Sequence, residues 1–148
     1  MEVLIASDHA GFRVKEKIKK YLEGKKITYQ DLGTDSCESV DYPDYALKVA
    51  ERVSKNRNQR GILVCGTGTG MTIAANKVKG VRAVAAYDAY SAKMSRADND
   101  ANVLGLRGRF FPWEKVKKII NVWLSTPFSG ETRHKRRIKK IADYEKKK

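Results

Sequence analysis

After the apolar run Ile62-Leu63-Val64 the chain reads Cys65-Gly66-Thr67-Gly68-Thr69-Gly70-Met71, a thiol followed by three glycines on alternate residues. Glycines so spaced let backbone N–H groups approach an oxyanion or phosphate closely, at the positive end of the helix for which the run through Val78 is suited. A helix start there would favour thiolate over thiol at Cys65, so the residue could be a base or a nucleophile; for a lone cysteine a buried residue that closes a core strand is the better reading. No lysine stands where a GxxxxGK[ST] loop needs one, and the glycines are not spaced G-x-G-x-x-G, so ATP and dinucleotide binding are disfavoured. Cys37 lacks such a setting and reads as an ordinary buried cysteine.

Two other groups carry chemistry. Ser7-Asp8-His9-Ala10-Gly11 follows the first apolar run; a lone His there suits a helix cap or a gap in the packing, and beside a glycine loop it suits ligand contact as well. In Arg133-His134-Lys135-Arg136-Arg137 the first and last arginines stand four apart, on one face of a helix, and suit the grip of a single phosphate. The alternative for this cluster is a solvated basic tail.

The elements that must position these groups follow from the hydrophobic pattern. Short runs rich in Val and Ile alternate with segments of helical period, which predicts an α/β domain with a parallel sheet covered on both faces. Strands are predicted over Val3–Ser7, Ile27–Leu32, Gly61–Cys65, Arg82–Tyr87 and Asn102–Leu106. Val14, Ile18, Tyr21 and Leu22 fall on one helical face, as do Tyr45, Ala46, Val49, Ala50 and Val53. A later helix enters through Pro112 and carries Trp113, Val116, Ile119, Ile120, Trp123 and Leu124. The last stretch, 132–148, has a seam of only Ile138, Ile141 and Tyr144 among nine Lys or Arg residues, so it is expected as a terminal helix that packs on a partner subunit. In an open parallel sheet ligands sit beyond the carboxyl ends of the strands, where both Asp8–Gly11 and Cys65–Met71 are predicted.

Six segments together, SDHAGF at 7–12, DYPDYA at 41–46, ILVCGTGTGMTIAANK at 62–77, GVRA at 80–83, NDANVLGLRGR at 99–109 and RHKRRIKKI at 133–141, resemble the type B ribose-5-phosphate isomerases and their galactose-6-phosphate isomerase relatives. The resemblance runs in order over nearly the whole chain. It implies a single Rossmann-like domain over 1–148, a three-layer α/β/α sandwich with a five-stranded parallel sheet. It further implies an aldose–ketose isomerase that needs no metal or organic cofactor, acts on a sugar phosphate and forms homodimers or dimers of dimers.

Carried over by motif, Cys65 is the base that moves a proton between C1 and C2 through an enediolate, and the Gly66, Gly68, Gly70 loop with the Thr67 hydroxyl holds the oxyanion. Asp8, His9, Asn99, Arg109, Arg133 and Arg137 would contact the sugar hydroxyls and the phosphate, with His134 in the same cluster and Tyr42 and Thr69 lining the pocket. One position departs from the family pattern. Where relatives have His before the Asn-Asp pair, this chain has Asp98, placing a carboxyl at the residue that opens the furanose ring. Three readings follow: Asp98 serves as the acid, His9 or His134 substitutes for it, or the preferred substrate is a different or already open-chain sugar phosphate.

Segment 98–99 is predicted at the entry to the fifth strand, the opposite edge of the sheet from Cys65. Active sites are therefore expected at a dimer interface, each completed by the partner. The alternatives are an isomerase of a hexose 6-phosphate, of allose or galactose type, with more room near Tyr42, Thr69 and Met71, and a non-catalytic phosphosugar-binding protein.

Composition bounds the rest. Two cysteines without paired spacing give no disulfide framework and no zinc site. The N-terminus has a short apolar run between Glu2 and Asp8, too short and acidic for a signal peptide, and no stretch approaches membrane-spanning length. A cytoplasmic protein is expected. The net charge of +14 invites nucleic-acid binding, but the lysines are spread over several helical segments (Lys15, Lys17, Lys19, Lys20; Lys115, Lys117, Lys118) as on solvated faces, so no nucleic-acid or membrane partner is expected.

Overall fold

The computed structural model describes residues 1–147. Five strands, β1 (Glu2–Ser7), β2 (Tyr29–Asp31), β3 (Gln59–Cys65), β4 (Ala83–Ala85) and β5 (Val103–Arg107), alternate with helices α1 (Phe12–Gly24), α2 (Tyr42–Lys55), α3 (Thr69–Ala75), α4 (Ala89–Ala97) and α5 (Trp113–Ser125), and α6 (Thr132–Lys146) follows. The sheet is parallel throughout, in the order β2-β1-β3-β5-β4.

Because successive side chains of a strand point to opposite faces, the sheet sorts its apolar residues into two cores. Val3, Ile5, Ile62, Val64, Leu104 and Leu106 pack with Ile18 and Leu22 of α1, Ala92 of α4 and Val116, Ile119, Ile120 and Trp123 of α5. Leu4, Ala6, Leu63, Cys65 and Val103 pack on the other face with Ala46, Val49, Ala50 and Val53 of α2 and Met71 and Ala75 of α3. These are the three layers expected, and both helical faces read from the sequence are the ones buried.

Several details differ. The edge strands are three residues each, shorter than predicted, because only one neighbour pairs with them: β2 pairs with β1 over Tyr29–Asp31 and β4 with β5 over Ala83–Ala85. Helix α3 stops at Ala75 rather than Val78. Helix α4, started by Asp88, whose carboxylate accepts the Ser91 N–H at 2.7 Å, has no counterpart in the sequence reading. The predicted end of the last helix, Lys148, lies outside the described residues. Lys15 is not on a solvated face: it is fully buried, and its ammonium pairs with Asp31 on β2 and with Glu16. The amphipathic pattern put lysine there because a buried ammonium is tolerable only with a carboxylate supplied from elsewhere in the fold. Cys37, read as buried, is exposed in the connection between β2 and α2.

Candidate active site

The expected residues gather in two groups, one at each end of the strands. At the carboxyl ends, the residues after β1, β3 and β5 are sewn together by main-chain hydrogen bonds: Asp8 N–H to Val64 O at 3.2 Å, Gly108 N–H to Cys65 O at 2.8 Å and Arg109 N–H to Gly66 O at 3.2 Å. Glycine is required where these turns touch. A Cβ on Gly11 would lie 2.1 Å from Val64 O, and one on Gly108 2.9 Å from Ala10 O.

Within this group Cys65 is the last residue of β3, almost wholly buried on the α2–α3 side of the sheet. The chain then turns through Gly68 at φ 81°, a left-handed conformation that brings the loop against the Leu106 backbone and starts α3. Thr67 is exposed, and its Oγ1 accepts the Thr69 N–H at 3.2 Å, so the hydroxyl proton is left to donate outward. The Thr67 carbonyl in turn accepts the Tyr87 hydroxyl at 3.0 Å, and Tyr87 Oη lies 3.1 Å from Thr69 Oγ1. The first N–H groups of α3 have no intrahelical acceptor. Together they make a small cradle of donors one to five residues past the thiol.

Asp8 and His9 close one side. Asp8 is buried and its Oδ1 accepts the Gly11 N–H at 3.0 Å, which fixes the turn and leaves Oδ2 for another partner. His9 Nδ1 accepts the Val40 N–H at 3.2 Å, so Nδ1 holds a lone pair and the ring proton of the neutral form sits on Nε2. Tyr42, at the start of α2, lays its ring on Gly70, where a Cβ would come within 2.9 Å of Tyr42 Cζ. Arg109 extends past Gly66, its Nη1 3.6 Å from the position a Cβ would take there.

The second group stands at the opposite edge. Asp98 caps the C-terminus of α4, Asn99 is exposed beside it with its carbonyl accepting from Arg82 Nε at 2.9 Å, and the connection into α6 is tied to the same turn by the Ser129 N–H to Ala97 O bond of 3.0 Å. His134 is buried there, its Nε2 3.4 Å from Asp98 Oδ1. Arg133 and Arg137 are exposed on α6, Arg133 pairing with Glu131 at 2.8 Å. In the sheet, Val103 is opposite Gly61 and Arg107 opposite Cys65, so four residue steps, roughly 13 Å of strand, separate the edge at Asp98 from the edge at Cys65.

The sequence reading missed Tyr87 and the Val40–His9 bond, since each joins segments far apart in the chain. A strand-end position after β4 was the one signal that pointed to Tyr87. A wide concavity of about 460 Å³ on the α1–α5 side, lined by Tyr21, Lys25, Glu114, Lys117, Lys118 and Asn121, contains none of the residues of either group. Among the described residues no three His, Cys, Asp or Glu side chains converge as metal ligands, and no helix is long and apolar enough to cross a membrane.

The chain is similar to known proteins over nearly its whole length. A sequence model of the family described as Ribose/Galactose Isomerase matches residues 3–141. A putative sugar phosphate isomerase of Bacillus subtilis is 49% identical over 148 residues, covering 99% of each chain. The solved ribose-5-phosphate isomerase B of Clostridium thermocellum superposes with a TM-score of 0.95 at 45% identity, covering 99% of each chain. That of Mycoplasma genitalium, solved with bound ribulose-5-phosphate, superposes with a TM-score of 0.94 at 43% identity over 99% of this chain and 97% of its own.

Proposed function

The chain belongs to the ribose/galactose isomerase family, and from that premise we propose that it interconverts ribose 5-phosphate and ribulose 5-phosphate, with Cys65 as the base and without a metal or organic cofactor. The observation that carries the base assignment is the placement of Cys65 at the end of β3, directly before a turn whose Thr67 hydroxyl keeps its proton free to donate. Isomerisation through an enediolate needs one group that removes a proton from carbon beside donors fixed on the oxygen that gains charge.

In the forward direction the Cys65 thiolate takes the C2 proton of the open-chain aldose, the C2–H electrons become the C1–C2 double bond, and the carbonyl electrons move to O1. The Thr67 hydroxyl and the N–H groups of the following turn hold that oxyanion. The thiol then returns its proton to C1 as the O2 proton passes to O1, which leaves the C2 carbonyl, a C1 hydroxyl and the thiolate restored. Asp8, His9 and Arg109 meet the sugar and the phosphate from the Cys65 side, and Tyr42 and Thr69 wall the pocket.

Asn99, Arg133 and Arg137 stand at the other edge of the same chain, so they serve a Cys65 pocket only when a second copy brings them there. The active unit is accordingly a homodimer with two composite sites at the interface, in which α6 reaches across; pairs of dimers are compatible with it. The half-exposed Ile141 on α6, 51% accessible in one chain, suits that contact. The protein acts in the cytoplasm on a small sugar phosphate, with no nucleic acid or membrane as partner.

The test is ribulose 5-phosphate formation from ribose 5-phosphate in chelator-containing buffer by wild type and Cys65→Ala. Turnover by the wild type alone upholds the reading. Equal turnover by both removes Cys65 as the base, and none by either, with turnover of a hexose 6-phosphate instead, replaces the substrate.

A further inference from the structure

Resting on the isomerase reading above, we infer that Asp98 and His134 form a proton-transfer pair that opens the furanose ring of the substrate, Asp98 touching the sugar and His134 positioning Asp98 from behind. The His134 side chain is 6% accessible and that of Asp98 37%, with 3.4 Å between His134 Nε2 and Asp98 Oδ1. His134 Nε2 is also one of the few buried polar atoms that complete no hydrogen bond among the described residues. The contact is thus close but not yet aligned, as acid–base pairs commonly are before a ligand arrives. A buried imidazole nitrogen left so would cost stability, and Asp98 is the acceptor within its reach.

The surroundings single out this carboxylate. Asp100 is held by Arg82 at 3.1 Å and Arg96 at 2.7 Å. Glu131, at the start of α6, is bound by Arg133 at 2.8 Å and stands 3.9 Å from His134 Nε2. Asp98 has no ion pair with Lys or Arg among the described residues, its recorded ionic neighbour being His134. Two main-chain bonds fix the pair: Asp98 N–H to Met94 O at 2.9 Å ends α4, and Ser129 N–H to Ala97 O at 3.0 Å ties the approach to α6 onto the same turn. His9 belongs to the other edge of the chain, and its Nδ1 is occupied by Val40.

An aldopentose 5-phosphate is mostly a furanose, and opening it needs a proton removed from O1 and one delivered to O4. A carboxylate can do both. Oδ2 of Asp98 takes the O1 proton, the O1–H electrons become the C1 carbonyl bond, the C1–O4 electrons go to O4, and the same proton is handed to O4. Asp98 ends as it began. His134, donating Nε2–H to Oδ1, holds the carboxylate in the rotamer that faces the sugar.

Ribulose 5-phosphate separates this step from the rest, because its phosphate blocks O5 and it has no furanose form. Each variant is assayed twice: for turnover of ribose 5-phosphate, and for solvent deuterium entering C1 of ribulose 5-phosphate, which needs the enediolate but no ring opening. Asp98→Asn should lose about 100-fold in turnover, the effect typical of a positioned acid–base group, and His134→Ala about tenfold. His134→Gln, which keeps an N–H donor near the Nε2 position, should recover most of that loss. Deuterium exchange should fall at least tenfold less than turnover in Asp98→Asn and be within a few-fold of wild type in His134→Ala. Exchange falling in step with turnover, or neither rate changing, overturns the inference. A wild type inactive in both assays instead sinks the isomerase reading on which it rests.

Discussion

Tyr87, the second residue past β4, donates its hydroxyl hydrogen to the Thr67 carbonyl across 3.0 Å, so an edge strand braces the turn that follows Cys65. Removing the hydroxyl should cost the fold little, about 1 kcal/mol as for one exchanged hydrogen bond, but it frees the loop proposed to carry the oxyanion donors. Tyr87→Phe is expected to lower kcat about three- to tenfold with little change in KM, less than the loss of a direct oxyanion donor. Steady-state kinetics with ribose 5-phosphate and a melting curve check both halves.

The turn itself depends on Gly68. A Cβ there would lie 3.0 Å from the Leu106 carbonyl carbon, in a backbone conformation of φ 81°. The opposing atoms are main chain in the middle of the sheet and cannot swing aside as a side chain would. Gly68→Ala is expected to destabilise the protein by about 1–3 kcal/mol and to reduce kcat disproportionately. The nearest atoms to a Cβ in Gly70→Ala belong to the Tyr42 ring, which can turn, so its melting temperature should stay closer to wild type. Parallel denaturant titrations of the two variants decide this.

How much of this was legible in the chain depends on the reach of each interaction. Strands β1, β3 and β5 are central, covered on both faces, and read as near-continuous apolar runs. Strands β2 and β4 lie at the edges and keep only three paired residues each, which no local pattern marks. Helix α4 was invisible because its buried residues are Ala92, Ser95 and Arg96 rather than an apolar stripe; Arg96 is buried by stacking on Trp123 of α5, its guanidinium carbon 5.9 Å from the ring. At the site, Cys65 and the alternating glycines form a contiguous motif and could be read. The Tyr87–Thr67, Val40–His9 and His134–Asp98 partnerships join segments 20 or more residues apart, and only the fold brings them together.

The buried Lys15 gives the fold a sensitivity to acid. Burial raises the pKa of Asp31, but hydrogen bonds from Lys15, Lys19 and the Gly33 N–H outweigh it and hold the carboxyl below its ordinary range. A carboxylate whose pKa is lower in the folded state adds stability above its unfolded pKa, and that stability is lost as pH falls through the folded value. The melting temperature should therefore drop in acid, below about pH 4. Asp31→Asn leaves the Lys15 ammonium buried with Glu16 alone and is expected to cost about 3 kcal/mol at neutral pH, as for a broken buried pair. The difference between variant and wild type should shrink as the pH falls below that range. Denaturant unfolding at several pH values measures both effects.

The separation of Cys65 from Arg137 across the sheet gives the composite site its sharpest test. If each pocket takes its thiol from one chain and its α6 arginines from the other, Cys65→Ala and Arg137→Ala proteins are each nearly inactive alone but complement one another. In a mixed dimer one pocket carries both defects, while the other combines the intact Cys65 of one chain with the intact Arg137 of its partner. Random exchange makes half of the dimers mixed, so an equimolar mixture should recover about a quarter of wild-type activity, as expected for two equivalent interfacial sites. The recovery should appear at the rate of subunit exchange and vanish when the dimers are cross-linked before mixing. Activity that stays at the sum of the two separate variants would place both residues in a pocket of one chain, against the position of α6 beside Asp98, before β5, while Cys65 ends β3.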